Sequence, residues 1–397
     1  MTVVRETTWL LGAGASRDAG VPLAAELFDQ LKGASGQVEL NATYDYVAAG
    51  AIMRAARLSL VGNWRRPNIE DVANTLDELI RRDSSDLGPF VGAWHSWLND
   101  VDPLGEPSLK VTEQVGATLQ RVIAGVNPRN GEGANIDWTA EAKRLVELLQ
   151  APRHPGEILS RLRLWLSQAV RDRMTGPYGD VSYLEPLART RVGTSHVCMG
   201  ATLNYDLCVE QAFESAGYRV CDGLGHWLSH EVMDVKHSAA HIYKPHGSIL
   251  WRSVDEDTFS FWSAQEDGEP GIIFGGRNKL TAHGPFLDSL LTWRAGLEKC
   301  RNLLVIGYSF GDDHVNALIA NWLRIGKDSK RIIVIDPGFS KSGTGFAGIL
   351  HRNSNEARDP DMDSRGRLIL PSHRSVHIMR RSATEGIPKA LALLENM

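Results

Sequence analysis

The chain has 397 residues, enough for one large core or for two or three modules at about 100 to 200 residues per domain. Its formal net charge of -5 gives no overall basic field that would indicate a dedicated nucleic-acid-binding protein, although it leaves room for a local basic patch, so direct nucleic-acid binding is not indicated. The four cysteines lack the close paired spacing of a zinc knuckle, so no zinc site is expected. The chain shows no signal-peptide pattern and no membrane-spanning run, which predicts a cytoplasmic protein without membrane contact.

The first pattern is a short apolar run that leads directly into small residues, TTWLLGAGAS, ending at Ser16. This pattern predicts a buried parallel strand followed by a helix N-terminus, where free backbone amides attract a diphosphate. The dinucleotide fingerprint of dehydrogenases would need a third glycine at position 17, where Arg17 stands. The alternative interpretation is a tight turn between strand and helix that binds no ligand.

A long helical block follows. Leu23, Leu27 and Leu31 have helical spacing before Gly33, and residues 34–190 are predicted to be mostly helical. Asn68 and Thr139 are predicted N-caps, each followed by acidic residues in the first turn. The polar segment 126–138 is predicted to be a solvated connection. We therefore expect residues 34–190 to form a large helical insertion.

From about residue 195 the pattern changes to short apolar runs that end in polar or glycine-rich turns. Helices are predicted between them at 207–216, 286–299 and 314–323. The predicted strands lie in SHVCMGATLNYD, AAHIYKPHGSILW, GIIFGG, RNLLVIGYSFGDD and KRIIVIDPG. This alternation predicts an α/β fold, a Rossmann-like parallel sheet with helices on both faces. Residues 1–33 and 191–397 would form this domain, discontinuous in the chain.

Polar residues follow five of the predicted strands, and ligands of open parallel sheets bind at this edge. Each has a structural alternative. Asn204 and Asp206 would also suit the cap of the next helix, and His246 and Gly307 would also suit tight turns. The five segments, in chain order, are 12–16, 202–206, 244–248, 307–309 and 336–337.

These motifs, in this order, resemble the Sir2 fold, the NAD-binding domain of the sirtuins. GAGAS resembles the glycine-alanine-glycine loop of that family, TLNYD its threonine-glutamine-asparagine-isoleucine-aspartate motif, and KPHGS its histidine-glycine motif. GYSFGDDHVNALI followed by IIVID resembles the version in prokaryotic Sir2-like NAD hydrolases of anti-phage defence. The resemblance covers residues 1–30 and about 195–340.

Three departures argue against protein deacylation. The paired cysteines of the deacylase zinc module are absent after His246, and the loop after Pro22 lacks the aromatic residue and arginine of deacylases. The helical block is also longer than the deacylase counterpart. The resemblance therefore implies cleavage of NAD by water, as in defence systems that pair a Sir2-like NADase with a HerA-type ATPase.

The implied reaction assigns roles to single residues. Nicotinamide is already a cationic leaving group, so the protein must mainly hold the ribose and place a nucleophile. Asn204 would orient water or ribose hydroxyls, and His246 would accept a proton. The resemblance places Asp206 on the nicotinamide carboxamide. The other residues expected to bind NAD are Gly12, Ala13, Gly14 and Ser16 at the diphosphate, Gly307, Ser309 and Asp336 at the adenosine, and also Ala15, Thr202 and Tyr308.

Other interpretations stay open. His226 and His230, and also His237 and His241, stand four apart, which on a helix would place each pair on one face as metal ligands. The function alternatives are an NAD-dependent deacylase or ADP-ribosyltransferase and a non-catalytic NAD-binding module. A homo-oligomer and activation by a HerA-type partner or a phage signal are expected. Residues 340–397 would either contact partners or complete the sheet.

Overall fold

A computed structural model of the protein describes residues 3–59, 67–84, 155–229, 239–254, 258–262, 268–273, 284–325, 330–339, 344–351, 367–370 and 374–396. The chain divides into two compact units. The first comprises Met1–Leu27 and Ser167–Met397, and the second comprises Phe28–Leu166. The predicted domain boundaries in the sequence lie between residues 33 and 34 and between 190 and 191. The chain passes from one unit to the other between residues 27 and 28 and between 166 and 167.

An eight-stranded sheet forms the centre of the first unit, in the order β10-β11-β9-β8-β1-β2-β4-β3. All neighbours pair in parallel except β10 and β11. The strands are β1 (Thr7–Leu11), β2 (Cys198–Thr202), β3 (Arg219–Asp222), β4 (Ala239–Tyr243), β8 (Asn302–Ile306), β9 (Arg331–Ile335), β10 (Arg367–Leu370) and β11 (Arg374–Met379). The α/β fold with a parallel sheet is confirmed.

Helices cover both faces of this sheet, so its central strands are buried on both sides. On one face, Leu10 and Val305 join a core with Trp293 of a covering helix. On the other face, the Trp9 ring packs edge-on against Phe213 at 5.9 Å. The helices are α1 (Ala24–Gln30), α2 (Val38–Ser59), α3 (Ile69–Ser84), α4 (Pro155–Met174), α5 (Cys208–Ser215), α6 (Gly223–Ser229), α7 (Pro285–Leu297), α8 (Asp313–Arg324), α9 (Thr344–His351) and α10 (Ala383–Glu395).

A second, three-stranded antiparallel sheet follows β4. Its order is β6-β5-β7, with β5 (Gly247–Ser253) between β6 (Phe259–Phe261) and β7 (Glu269–Ile272). The assignment of GIIFGG to the parallel sheet is therefore wrong. The tight turn at Gly247, with φ of 91°, leaves no room for a crossover helix between β4 and β5, so β5 turns out of the parallel sheet.

The glycine-rich turn after β1 also differs from the prediction. Two 3₁₀ turns, Ala13–Ala15 and Arg17–Ala19, follow the strand, and the first α-helix begins only at Ala24. Gly20 has a left-handed φ of 84° and ends the second turn. Residues 12–20 therefore form a compact turn, and no α-helix N-terminus directly follows the strand.

The second unit is helical where it is described. It contains α2, α3 and the first part of α4, and its residues lie between β1 and β2 in chain order. Asn68 caps α3 as predicted, since its Oδ1 accepts the Asp71 amide and its own amide donates to Asp71 Oδ2. Thr139, the segment 126–138 and the rest of the predicted helical block between residues 85 and 154 lie outside the described residues.

β11 and α10 lie near the end of the chain, in the segment 340–397 expected either to contact partners or to complete the sheet. β11 pairs in parallel with β9 and so extends the sheet. The start of α10 contacts the turn after β1, because the Thr384 amide and hydroxyl both donate to Asp18 Oδ2. These hydrogen bonds, aided by the charge of Arg17, lower the pKa of Asp18, although its partial burial acts in the opposite direction. No helix in the described ranges is long and apolar enough to cross a membrane.

Gly307 follows β8 and packs against the turn after β1, so its substitution tests the contact between the two turns. It has a φ of 61°, and an added Cβ would lie 2.2 Å from the Ala15 nitrogen. We expect Gly307→Ala to lower the free energy of unfolding by about 1 kcal/mol for the left-handed conformation, plus about 1–3 kcal/mol for overpacking. Gly217→Ala is the matched control, because Gly217 has a φ of 82° and open space around it. Equal losses in denaturant unfolding would contradict this account.

Candidate functional site

The five predicted strand ends lie side by side. β9, β8, β1, β2 and β4 are consecutive neighbours in the parallel sheet, so their carboxyl ends share one edge. The chain runs from β1 to β2 on one side and later returns to β8 on the other side of β1. A crevice at such a reversal of strand order is where open α/β sheets bind ligands.

Backbone packing at this reversal depends on three glycines. The Gly12 amide donates to the Ile306 carbonyl, and the Gly14 amide donates to the Gly307 carbonyl, both at 2.9 Å. A Cβ on Gly12 would lie 2.6 Å from Tyr308 Cα, and one on Gly14 would lie 2.9 Å from Gly307 Cα. The turns after β1 and β8 are therefore in direct backbone contact, which only glycine permits here.

The turn after β1 satisfies several of its own amides. The Ala15 amide donates to the Gly12 carbonyl and the Ser16 amide to the Ala13 carbonyl. The Tyr183 hydroxyl donates to the Ala15 carbonyl at 2.7 Å. The amides of Gly12, Gly14, Ala15 and Ser16 thus all have protein acceptors, while Ala13 is exposed at the surface of the turn.

Asn204 joins the turns after β1 and β2. Its Nδ2 donates to the Gly12 carbonyl at 3.0 Å and to Ser16 Oγ at 2.9 Å, and its backbone amide donates to Thr202 Oγ1. All these side chains are buried. Asn204 therefore does not cap the following helix, the alternative that its position in the sequence left open.

Asp206 has a double role. Its Oδ1 accepts the Ser16 hydroxyl and the Cys208 amide, each at 3.0 Å. The second bond satisfies an amide at the start of α5, so Asp206 does serve the helix terminus as the alternative predicted. The first bond completes a buried hydrogen-bond network of Ser16, Asn204 and Asp206.

Lys244 connects this network to the turn after β4. Its side chain is 0% exposed, and its Nζ donates to the Asp206 carbonyl at 2.6 Å and to Glu210 Oε1 at 2.7 Å. Burial raises the pKa of Glu210, although the neighbouring ammonium group opposes this effect. Lys244 therefore ties β4 to the loop that carries Asn204 and Asp206.

His246 lies two residues beyond Lys244 and pairs with a carboxylate from across the sheet. Its Nε2 lies 2.8 Å from Asp312 Oδ2, and both side chains are 5% exposed. Asp312 comes from the loop after β8 and is the N-cap of α8. The pair lies against a small cavity lined by Pro245, Phe286, Leu290, His314 and Val315.

Of the predicted NAD-binding side chains after β8 and β9, one is buried in the core and two are at least partly exposed. Tyr308 is buried, and its hydroxyl contacts Asp312 and Asn316, so its side chain belongs to the support of Asp312. Ser309 is exposed and Asp336 is partly buried at the same sheet edge. Burial raises the pKa of Asp336, although the Gly338 amide that donates to its Oδ1 opposes the effect.

One of the two histidine pairs considered as helical metal ligands does not lie on a helix. His241 lies in strand β4, which removes the helical geometry assumed for His237 and His241. His226 belongs to α6, while His230 and His237 lie outside the described residues. Within the described part of the chain, no three His, Cys, Asp or Glu residues cluster as a metal site would require.

Sequence reasoning missed three supporting residues, Tyr183, Lys244 and Asp312. Lys244 stands next to Pro245 in the KPHGS motif, and Asp312 follows Gly311 as a helix-capping residue, so each carried a local signal. Tyr183 lies in a 3₁₀ helix within the predicted helical block and carried none. Their partners are distant in sequence, and only the fold brings them together.

The Lys244–Glu210 pair predicts a large effect on stability. Lys244→Met would leave a buried carboxyl without its cation and should lower the free energy of unfolding by about 3–5 kcal/mol. The double variant Lys244→Met/Glu210→Met should recover most of this loss, because it removes the stranded charge. Arg294→Met is the control, since it breaks an exposed pair with Glu298 and should cost at most about 1 kcal/mol. Equal losses in the single and double variants would refute this explanation.

Asp336 predicts a pH-dependent contribution to stability. Because its pKa is raised above 3.8, the folded protein keeps this proton to higher pH than the unfolded chain does. The stability of the wild type relative to Asp336→Asn should therefore fall as the pH rises above 3.8, and then level off. Unfolding curves between pH 4 and 8 measure this difference. Asp180→Asn is the control, because hydrogen bonds from Ser182 lower the pKa of Asp180 and no such fall is expected.

Comparison with known proteins agrees with this topology. A family model of the SIR2-like domain matches residues 200–352, which include the end of β2, all of β4, β8 and β9, and the His246–Asp312 pair. No curated protein matches the chain. Over the matched region the chain is similar to SIR2-like domains, whose activities in general involve NAD. The parallel sheet, its covering helices and this match together show a Sir2-like, Rossmann-like α/β fold.

Proposed function

We propose that the protein is an NAD+ hydrolase that cleaves the bond between nicotinamide and ribose and releases nicotinamide and ADP-ribose. The supporting observation is the arrangement of five polar strand ends along one edge of the sheet, from β9 to β4. This edge carries a glycine turn, the buried amide of Asn204 and the His246–Asp312 pair. The similarity to SIR2-like domains supports NAD as the ligand.

The reaction asks little of the protein in acid catalysis. As the bond between ribose C1′ and the pyridinium nitrogen breaks, its electron pair neutralises the ring, and nicotinamide leaves without a proton donor. The oxygen of a water molecule then bonds to C1′, and one water proton passes to the His246 imidazole. The protein therefore acts mainly by holding the water in line with the bond that breaks. It also stabilises the positive charge that develops at C1′ in the transition state.

Asn204 and Asp206 are proposed to hold the nicotinamide riboside end. Asn204 Nδ2 already contacts the Gly12 carbonyl and Ser16, so we assign its carbonyl oxygen to a ribose hydroxyl or the attacking water. Asp206 is assigned to the nicotinamide carboxamide. Both side chains belong to one buried network, which would keep them in position before NAD binds.

The opposite half of NAD would lie over the turns after β1, β8 and β9. The exposed Ala13 and Ser309 present surface at the sheet edge, and Asp336 offers a carboxylate that suits two ribose hydroxyls. The hydrogen bonds from the Gly12 and Gly14 amides to the Ile306 and Gly307 carbonyls hold this turn as a preformed surface. We propose the diphosphate contact at residues 13–16 because GAGAS resembles the glycine-alanine-glycine loop of the Sir2 family and Ala13 is exposed there.

Hydrolysis is preferred to deacylation for reasons visible in the chain. Cys300 is the only cysteine after His246, so paired zinc ligands are missing there. The β5–β7 sheet instead follows directly after His246. By the resemblance of its motifs, the proposed setting is cytoplasmic NAD depletion in anti-phage defence, in a homo-oligomer restrained until a HerA-type partner or phage signal acts.

Product analysis tests the proposal. The purified full chain, with and without candidate partners, would be incubated with NAD and an acylated peptide. We expect nicotinamide and free ADP-ribose, and a loss of at least about 10²-fold in His246→Ala and Asn204→Ala. His196→Ala is the matched control, because His196 is exposed and should leave the rate unchanged.

The other products would decide against hydrolysis. An acyl-ribose product would instead identify a deacylase, and NAD binding without turnover would identify a binding module. Wild-type rates in both active-site variants would contradict the assigned roles. Circular dichroism and unfolding curves would show whether each variant keeps its fold.

A further inference from the structure

We propose that Asp312 is a positioning residue that fixes the ring orientation and the tautomer of His246. The inference rests on the proposed function, since it concerns the same histidine. Asp312 reaches His246 from the loop after β8, whereas His246 follows β4. The two residues are 66 positions apart, and their contact is a product of the fold.

The carboxylate of Asp312 is held in one orientation. Its Oδ1 accepts the amides of His314 and Val315 at 2.9 and 3.1 Å, at the start of α8. Its Oδ2 lies 2.8 Å from His246 Nε2. Because one oxygen is fixed by two backbone donors, the other oxygen has a defined direction toward the imidazole ring.

The backbone around Asp312 is also restrained. The Tyr308 hydroxyl accepts the Asp312 amide and lies 3.2 Å from the Asp312 carbonyl. Phe310, between them, has a left-handed φ of 58°, and its carbonyl accepts Asn316 Nδ2 at 2.7 Å. Such a conformation in a bulky residue persists only when the surroundings determine it. These hydrogen bonds therefore keep the backbone of residues 308–312 in one conformation.

His246 is fixed at its backbone by separate contacts. The Ile273 amide donates to the His246 carbonyl at 2.8 Å, and the Ile273 carbonyl accepts the Tyr205 hydroxyl. Gly247, with φ of 91°, closes the turn through the Lys244 carbonyl. These bonds hold the Cα position, and the contact with Asp312 then determines the rotation of the ring.

This contact has a chemical consequence. A carboxylate is an acceptor only, so His246 Nε2 carries the proton in their hydrogen bond. In the neutral imidazole the basic nitrogen is then Nδ1, and we assign the proton from water to that atom. The carboxylate also stabilises the imidazolium formed when the proton arrives, as in carboxylate–histidine pairs of other catalytic sites.

A purely structural role would be helix capping, and one substitution separates the two roles. In Asp312→Asn the side-chain oxygen can still accept the amides at the start of α8, and Asn is as good an N-cap as Asp. Its Nδ2 would face His246 Nε2 as a donor, which forces the proton onto Nδ1. The cap is retained while the tautomer changes.

Asp313→Asn is the matched control. Asp313 is the exposed neighbour in the first turn of α8, so the charge lost is the same and the contact with His246 is kept. We expect kcat for NAD cleavage to fall about 10²- to 10⁴-fold in Asp312→Asn, with KM within about 3-fold of the wild type. Asp313→Asn should keep the wild-type kcat.

Nitrogen-15 NMR of histidine-labelled full chain provides a readout independent of turnover. His246→Ala identifies the His246 signals by their loss. We expect a protonated Nε2 in the wild type and in Asp313→Asn, and a protonated Nδ1 in Asp312→Asn. An unchanged tautomer in Asp312→Asn, or a kcat equal to that of Asp313→Asn, would overturn the proposal.

Failure of the proposed function remains distinguishable from failure of this inference. If the wild type and Asp313→Asn release no nicotinamide under any condition tested, NAD hydrolysis is refuted. The tautomer measurement then decides the role of Asp312 alone. A shift of the proton in Asp312→Asn would support positioning, and an unaltered spectrum would refute it.

Discussion

The backbone contact between the turns after β1 and β8 is the constraint on which the sheet edge depends. Gly12 and Gly14 approach Gly307 so closely that a single added methyl group would overlap backbone atoms. The contact continues the parallel pairing of β1 and β8 beyond the ends of both strands, at the point where the strand order reverses. It also leaves the Gly12 carbonyl in position to accept Asn204 Nδ2, so the polar network begins at this packing contact.

A continuous set of buried polar groups spreads from that contact. The Ser16 hydroxyl accepts Asn204 Nδ2 and donates to Asp206 Oδ1, and Lys244 extends the set through the Asp206 carbonyl. Buried polar groups stabilise a unique arrangement only when they are satisfied, and most of these have two partners. Glu210 is the exception, since within the described part of the chain its Oε2 has no hydrogen-bond partner, and burial raises its pKa. The network therefore gives positional order at a cost in stability.

On the β8 side of the sheet edge, one side chain likewise makes two sets of hydrogen bonds. Asp312 caps α8 with one oxygen and contacts His246 with the other, so the start of a helix and the orientation of the imidazole are determined together. The aromatic residues Tyr308, Phe310 and Phe346 pack behind this loop. A packed aromatic cluster thus supports the His246–Asp312 pair at the sheet edge.

The sequence by itself determined the fold class, because strand and helix periodicity and glycine turns are local properties. It also placed Asn204, Asp206 and His246 at strand ends, where parallel strands share an edge. The tertiary structure alone decided the separate β5–β7 sheet, which depends on antiparallel pairing between segments that are each merely apolar and extended. It alone joined Asp312 to His246 and Lys244 to Glu210. These contacts link residues up to 66 positions apart, and no local sequence pattern encodes which distant carboxylate pairs with which histidine or lysine.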